Sequence, residues 1–428
     1  MAISNGVIFI WTGTNAGIPA GWERVTALDV KYPKAVSNTS TEPNTTGGAD
    51  THTHTSPAHS HTELNHTHTI SLALTGANYG RPGNNENMDD HTHASHQSGN
   101  VVGGGLSSVT STYSSVSNNP PHYEVIYITP TTVAGGLPNL ALALSEDTGF
   151  VNNTGKYNGY YICDGNNSTP NLANKYLKGA GTGANAGGTG GSTTNVHTLT
   201  HTHSVTAHSH SAVTSPSTTP SQTTDGWGGV PTGGYSPSFN TAHTHTTSLN
   251  STTPVITGTV TLTCSETVEP AYKKLLAIQN RSGTVYTPTE IIGLWLGTIA
   301  NIPSNFEIIS TMNDKHLKIA SNAGEIGNTG GSNTHTHTNT HNHTASHTHT
   351  GTSSQHPNYD DNNFSAFYTT GNSVLQTTTH PVTVASATST YSTETTTADS
   401  SSNEPEYRTV AYIKYKGETG GAFLLNFL

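Results

Sequence analysis

Three short sequence elements recur in the same order three times along this chain, about 140 residues apart. The first is a Thr-Gly-Gly step that begins at Thr46, Thr189 and Thr329. The second is a run of His-x-His pairs. The third is a Pro-x-Tyr step before an apolar run, and it reads Pro120-Pro121-His122-Tyr123, Glu269-Pro270-Ala271-Tyr272 and Glu404-Pro405-Glu406-Tyr407. We therefore divide the chain into repeat one (1–134), repeat two (135–285) and repeat three (286–428), each with a base and a His-bearing segment.

The composition favours strands over helices and over disorder. Hydrophobic residues make up 31% of the 428 residues and charged residues 10%, both below the shares of ordinary globular domains. Scarce charge argues against a disordered chain. Thr, Ser, Val, Ile and Tyr favour strands, and no helical periodicity is evident. We predict an all-β, elongated and fibrous fold of intertwined extended strands, with too few apolar residues for a large core.

Histidine pairs are the most specific signal, because 20 of the 26 histidines fall in ten His-x-His pairs. The pairs are His52/His54, His59/His61, His66/His68, His91/His93, His201/His203, His208/His210, His243/His245, His335/His337, His341/His343 and His347/His349. Residues i and i+2 of a strand face the same side, about 6.6 Å apart. Three such segments around an axis supply six imidazole nitrogens, in two triangles above and below one metal ion. All 20 residues are therefore predicted metal ligands, and the three repeats are predicted to form a pseudo-trimer around a pseudo-threefold axis.

Six nitrogen ligands point to iron, at two to three ions per chain. Imidazole suits iron, zinc, copper and nickel, but zinc prefers four ligands in structural sites. Another transition metal stays an alternative. The expected first layer joins His52/His54, His201/His203 and His335/His337, and the second joins His59/His61, His208/His210 and His341/His343. A third layer would join His66/His68 and His347/His349, with His243/His245 as a candidate third pair and His91/His93 left unmatched.

The spacing of the pairs constrains the strands further. In repeat three the pairs begin six residues apart, so a regular strand keeps every ligand on one face. The seven-residue steps in repeats one and two would turn the next pair outward. Each such step must therefore contain a one-residue irregularity. Ser56-Pro57-Ala58 is a suitable place, since proline cannot continue a ladder.

Other interpretations of the histidines were weighed against a metal column. A mononuclear metalloenzyme needs a third ligand and an open position, but ten pairs argue against a single active site, and Glu63 is the only acid within the first three pairs of repeat one. We expect no enzymatic activity. A solvated His-rich segment without ordered metal is the other alternative. The unpaired histidines are interpreted as surface or packing residues: His96, His122, His197, His316, His356 and His380.

Several partner classes are disfavoured by the sequence. The net charge of −11 disfavours nucleic acid, which needs a basic surface. No apolar stretch approaches the ~20 residues of a membrane span. The first residues lack the pattern of a secretory signal, so assembly in the host cytoplasm is expected. Protonating all 26 histidines would change the charge from −11 to +15, so we expect a strong response to acid. The sequence does not decide whether Cys163 and Cys264 form a disulfide or stay free thiols.

Repeat two carries a longer motif. It reads Tyr160-Tyr161-Ile162-Cys163-Asp164-Gly165, then Thr169-Pro170-Asn171-Leu172 and Tyr176-Leu177-Lys178-Gly179. This order resembles the phage tail-collar domain, with its Gly-Trp-x-x-Cys-Asp-Gly and Thr-Pro-Asp-Leu steps. Repeat one keeps a Pro-x-Gly-Trp step as Pro19-Ala20-Gly21-Trp22. The His-x-His runs resemble the needle tips of phage long tail fibres, where a homotrimer holds iron ions on its axis.

The chain also departs from that family. Tyr160-Tyr161 stands where the family has Gly-Trp, and repeats one and three lack Cys-Asp-Gly. Because family members are usually homotrimers, it stays open whether this chain is a monomeric pseudo-trimer or assembles further.

The resemblance implies a virion structural protein, with a collar-like base and a metal-stapled needle that attaches to a host receptor or surface glycan. The implied partners inside the particle are baseplate, tail or fibre proteins. A purely structural spike without receptor specificity is the alternative. Loop tips are predicted at 84–90, 225–229 and 358–363. The candidate receptor contacts around them, for which packing of the tip is the alternative, are Tyr79, Trp227, Tyr235, Tyr359, Phe364 and Tyr368. The C-terminal residues predicted to dock into a partner, or else to pack internally, are Phe423, Leu424, Leu425, Phe427 and Leu428.

Overall fold

The computed structural model is all-β, which confirms the predicted fold class. It describes residues 3–72, 95–98, 101–102, 105–211, 213–216, 244–254, 260–281, 287–353, 356–357, 377–378 and 382–417. Strands make up 45% of the structure, and the described residues contain no helix of seven residues or more. Short 3-10 turns are found at Asn15–Gly17, Thr26–Leu28, Gly155–Tyr157, Ile299–Asn301, Ser310–Met312 and Ala323–Glu325. None of the described helices is long and apolar enough to cross a membrane.

One sheet of 15 strands, here called the base, takes five strands from each repeat. Repeat one contributes Phe9–Trp11, Trp22–Arg24, Tyr32–Ala35, Thr46–Gly47 and His122–Pro130. Repeat two contributes Ala141–Ser145, Tyr160–Ile162, Tyr176–Gly179, Thr189–Gly190 and Tyr272–Asn280. Repeat three contributes Ile291–Trp295, Phe306–Ile308, His316–Ile319, Thr329–Gly330 and Tyr407–Tyr415.

The repeats are joined in the base by a cyclic set of parallel strand pairs. In each pair, the third strand of one repeat lies beside the long closing strand of another. The pairs are Tyr32–Ala35 with Tyr407–Tyr415, Tyr176–Gly179 with His122–Pro130, and His316–Ile319 with Tyr272–Asn280. Repeat one thus joins repeat three, repeat two joins repeat one, and repeat three joins repeat two.

Most of the buried apolar side chains lie on both faces of the base. Phe9 and Trp11 belong to one apolar cluster and Ile10 to a second, because successive strand residues point to opposite faces. Side chains of the closing strand Tyr407–Tyr415 also point alternately into the first and the second cluster. The scarcity of apolar residues is therefore a property of the rest of the chain, and the base has a continuous core.

The Thr-Gly-Gly step has a structural reason in the base. Gly48, Gly191 and Gly331 all have positive φ, between +73° and +78°. A Cβ atom on Gly191 would lie 2.0 Å from the carbonyl oxygen of Pro120. Only glycine tolerates both this backbone conformation and this approach.

These contacts correct the alignment of the closing step in repeat one. Gly190 pairs with His122, in the same way that Gly330 pairs with Tyr272 and Gly47 with Tyr407. His122, and not Tyr123, therefore occupies the tyrosine position of the repeat.

The histidine pairs lie in three further segments, here called the ladder regions (51–117, 194–267 and 334–402). In repeat one their strands are Thr51–His52, Thr55–His59, Thr69–Leu72, His96–Gln97, Val101–Val102, Val109–Thr112 and Val116–Ser117. In repeat two they are Thr194–His201, Ser209–His210, Val213–Pro216, Thr244–Leu249 and Val260–Thr267. In repeat three they are Thr334–His335, Thr338–His341, Thr344–His347, Gly351–Ser353, His356–Pro357, Thr377–Thr378, Val382–Val384, Ala387–Thr390, Glu394–Thr397 and Ser401–Ser402.

Near the base, each outgoing strand pairs antiparallel with the returning strand of its own repeat. Thr55–His59 pairs with Val109–Thr112, Thr194–His201 with Val260–Thr267, and Thr338–His341 with Glu394–Thr397. Further along, pairs form between repeats, as between Thr69–Leu72 and Val382–Val384. Strands of different repeats therefore pair with each other in this part of the ladder regions.

Candidate metal centres

Strand alternation places the paired histidines on the buried face of the ladder regions. Repeat three is the simplest case, because residues 337 to 349 alternate strictly between buried and exposed. Its histidines fall on the buried side, and the intervening Thr, Asn and Ser residues face solvent. The six-residue spacing therefore keeps every ligand on one face, as predicted.

The seven-residue steps contain the predicted irregularities. Val109 pairs with His59 and Ser111 with Ser56, so the outgoing strand has one extra residue at this point. Pro57 and Ala58 are both exposed there, which confirms the predicted irregularity. Two consecutive exposed residues also occur at 64–65 and at 206–207, inside the other two seven-residue steps.

Histidines of the three repeats meet in three layers. Layer one contains His52, His54, His197, His335 and His337. Layer two contains His59, His61, His201, His203, His341 and His343. Layer three contains His66, His68, His208, His210, His347 and His349. Each layer thus draws imidazoles from every repeat.

The layers correct the predicted matching of repeat two by one step. His201/His203 lie with His59/His61 and not with His52/His54, and His208/His210 lie in layer three. His197 was interpreted as a surface or packing residue, but its Nε2 lies 3.1 Å from Nε2 of His52. The sequence did contain a signal for this register. Counting eight residues from the threonine of each Thr-Gly-Gly step reaches His54, His197 and His337.

The geometry of layer two fits six nitrogens around one ion. Nε2 of His341 lies 3.2 Å from Nε2 of His59, 3.2 Å from that of His61 and 3.0 Å from that of His201. An octahedron with such edges has its centre about 2.2 Å from each corner, close to the ~2.0–2.1 Å of zinc–imidazole bonds. Layer three has matching separations of 3.2 and 3.0 Å from His347 to His66 and His68.

Backbone carbonyls fix the ring orientation of several ligands. The Nδ1–H of His54 donates to the carbonyl of Asp399 at 2.7 Å, that of His61 to Ser392 at 2.6 Å, and that of His68 to Ala385 at 2.8 Å. The equivalent bonds in the other repeats are His197 to Ser114, His203 to Ser107 and His349 to Asn250. Repeat one donates to repeat three, two to one and three to two, which is the order found in the base.

These hydrogen bonds define what the layers can bind. A neutral imidazole carries one N–H, so a ring that donates through Nδ1 presents a lone pair at Nε2. Nε2 of His203, His208, His343 and His349 is buried and has no hydrogen-bond partner among the described residues. Buried polar atoms without partners require an explanation, and a bound ion is one. The layers therefore fit metal ions, with carbonyl oxygens as outer partners that orient the rings.

Burial also keeps many of the layer imidazoles neutral. It lowers the pKa of eight of them strongly, and repulsion from neighbouring imidazoles lowers it further. The pKa falls from 6.5 to about 4 at His52, His201, His335 and His341, and to about 3 at His208, His337, His343 and His347. Metal ligands must be deprotonated, so the layers hold their ligands in the binding form at neutral pH.

Layer three contains a buried carboxylate. The Glu63 side chain is 1% exposed, and its oxygens lie 3.2 Å from Nδ1 of His208 and 3.6 Å from Nδ1 of His66. At the same level the other two repeats have Val205 and Ala345, which pack with Leu106 and Tyr391. Glu63 is thus placed to act as an outer partner of two ligands, a role that carboxylates often have around metal-bound histidines.

Several predicted functional residues lie outside the described part of the chain. These are His91, His93, His243, His380, the six candidate receptor aromatics and the five C-terminal docking residues. For His96, His245, His356 and Cys264 only the backbone is described. Cys163 is a buried free thiol. His122 and His316 are buried in the base, where their rings contact Tyr32 and Tyr407.

Comparisons with protein-family models, with curated proteins and with solved structures found no match to this chain. The assignment of function therefore depends on the chemistry of the three layers and on the arrangement of the repeats.

Proposed function

We propose that this chain is a structural fibre or tail-tip protein of a phage or phage-like particle, in which a column of metal ions stiffens a projecting needle. The observation that carries the proposal is the convergence of buried imidazoles from all three repeats in three successive layers. The same arrangement repeated in three layers fits a stapling role better than a single catalytic site. The resemblance of repeat two to the tail-collar domain supports the viral context.

We further propose that the repeats are arranged as a pseudo-trimer within one chain. The cyclic parallel pairs of the base support this arrangement, and so do the cyclic Nδ1–H bonds of the ladder regions. A monomer of 44.7 kDa is then the expected mass in solution. A mass of about 134 kDa, three times that value, would contradict an intramolecular trimer.

Iron is the proposed metal, at two to three ions per chain. Six imidazole nitrogens suit an octahedral ion better than zinc, which prefers four ligands in structural sites. Structural metal sites can contribute on the order of 10 kcal/mol each in well-studied zinc cases. Ions of this kind would add to the small apolar clusters of the ladder regions.

Elemental analysis of the purified protein tests the column directly. We expect at least two transition-metal atoms per chain, with iron predominant after expression in iron-replete medium. Fewer than two atoms per chain would overturn the proposal. A variant in which His59, His61, His341 and His343 are replaced by asparagine is the matched control, and it should lose one ion.

Attachment to a host is the proposed use of the needle. Variants that shorten the predicted loop tips at 84–90, 225–229 and 358–363 should reduce adsorption of the particle to host cells. They should leave the metal content and the mass of the protein unchanged. Unchanged adsorption would favour the alternative, a spike component without receptor specificity.

A further inference from the structure

Among the described residues, layer one differs from the other two layers, because it contains five imidazoles and not six. Equivalent positions can be counted from the Thr-Gly-Gly steps. Six residues after the threonine, repeat one has His52 and repeat three has His335, but repeat two has Asn195. Eight residues after it, all three repeats have histidine. The triangle of layer one that lies nearer the base is therefore one imidazole short.

Hydrogen bonds confirm this correspondence independently of the count. The backbone N–H of Ser114 donates to the carbonyl of Thr198, and that of Asp399 donates to the carbonyl of Thr55. The residues before Thr198 and Thr55 are His197 and His54, and their Nδ1–H groups donate to the carbonyls of Ser114 and Asp399. His197 is thus equivalent to His54, and the residue two positions earlier, Asn195, is equivalent to His52.

Asn195 has no imidazole, so it does not supply the ring nitrogen that a histidine would provide at this position. Its side-chain Nδ2–H donates to the carbonyl oxygen of Ser117 on the neighbouring repeat, at the edge of the column. Asn195 is partly exposed, whereas His52, His54 and His197 are buried. His335, at the equivalent position of repeat three, is also partly exposed, so this end of layer one lies nearer the surface than layer two.

The five imidazoles that are present still form a metal site. Nε2 of His335 lies 3.3 Å from that of His52, 2.9 Å from that of His54 and 3.1 Å from that of His337. These separations match the 3.0–3.2 Å between the Nε2 atom of His341 and its neighbours in layer two. A site with the same edges and one missing corner leaves one coordination position of its ion open.

We propose that layer one holds a transition-metal ion with five imidazoles and keeps its sixth position open to a small monodentate ligand, such as water or a small anion. This inference rests on the proposed metal column and adds to it. Layers two and three are coordinatively closed by six imidazoles each, so exogenous ligands bind at one end of the column only. Layer one also loses its ion to a chelator first, because it has one ligand fewer.

Azide titration of the metal-loaded protein tests the open position. The protein is loaded with iron, oxidised to the ferric state and analysed for metal, and azide binding is then followed by the absorption band of the adduct. We expect three ions per chain and saturation at one azide per chain. In a parallel chelator experiment, one ion of the three should be released at least about tenfold faster than the other two.

Two substitutions should change the number of open coordination positions in opposite directions. Asn195→His supplies the sixth imidazole, and it should abolish azide binding and the fast phase of metal release. His201→Asn copies the arrangement of layer one into layer two, and it should raise the stoichiometry to two azides per chain. Val196→His is the matched control, because Val196 is exposed on the opposite face of the same strand, and it should bind one azide.

The outcomes separate this inference from the proposed function. Three ions per chain without azide binding, or unchanged azide binding in Asn195→His, would overturn the open position and leave the column in place. Two ions per chain with no azide binding would do the same. A protein that retains no metal would overturn both proposals. If Asn195→His does not fold, the result with His201→Asn decides.

Discussion

Removing the metal should make this protein sensitive to mild acid. Eight histidines of the layers have a pKa of about 3 to 4 in the folded chain, against 6.5 for a free imidazole. The folded form therefore stays neutral at these positions while the unfolded chain binds protons below pH 6.5. Because the unfolded state binds more protons, the free energy of unfolding falls as the pH falls from about 7 towards 4.

The expected size of the effect follows from linkage. At pH 5.5, one unit below the free value, each such histidine lowers the free energy of unfolding by about 1 kcal/mol. Because the imidazoles of one layer repel each other, the eight effects do not simply add, but a total of several kcal/mol is a large part of the ~5–15 kcal/mol stability of a typical domain. The metal-free protein should therefore unfold between about pH 5 and 6.

Urea unfolding of the metal-free protein, followed by circular dichroism from pH 8 to 5, measures this dependence. His343→Gln removes one titrating group and should reduce the slope below pH 6 by about 1 kcal/mol per pH unit. Asn339→Ala, a buried and uncharged position four residues before His343, should change the stability and not the slope. Equal free energies of unfolding at pH 7.5 and 5.5 would refute the reasoning.

Three further predictions concern the layers and the base. Glu63→Gln removes the carboxylate beside His208 and His66. It should lower the metal affinity of layer three by about 10–100-fold in chelator competition and leave the affinities of the other layers unchanged. Deleting Ala58 removes the extra residue of the irregularity and should preserve the metal content. Deleting Thr340 from the regular strand of repeat three turns His341 outward and should remove metal from layers two and three. Equal metal content in the two deletion variants would contradict the argument from side-chain alternation. Gly191→Ala should lower the free energy of unfolding by about 2–4 kcal/mol, because Gly191 has a left-handed backbone conformation and the added Cβ would lie 2.0 Å from a carbonyl oxygen. Gly183→Ala, with the same sign of φ and open space around it, should lower it by about 1 kcal/mol. Similar losses in the two variants would show that the close approach is unimportant.

The local features of this protein were determined by its sequence. The alternation of side chains along a strand is a property of the backbone, so the spacing of the pairs was enough to predict one buried face in repeat three. The same property predicted the irregularity at Pro57 and Ala58. The Thr-Gly-Gly steps marked positions that only glycine can occupy, and the scarcity of helix formers predicted an all-β fold.

The histidine pairs alone did not decide which histidines share a layer, and the tertiary structure did. Layer membership depends on how far each strand has advanced from the base, and that distance depends on bulges and on the offset of each repeat. Pairs of identical sequence cannot report this offset, so His201/His203 were matched one layer too early. His197 was missed because its partner position holds Asn195, and a lone histidine carries no pair signal. The burial of Glu63 between His66 and His208 and the contact of Asn195 with Ser117 depend on segments that are distant in sequence and meet only in the folded chain.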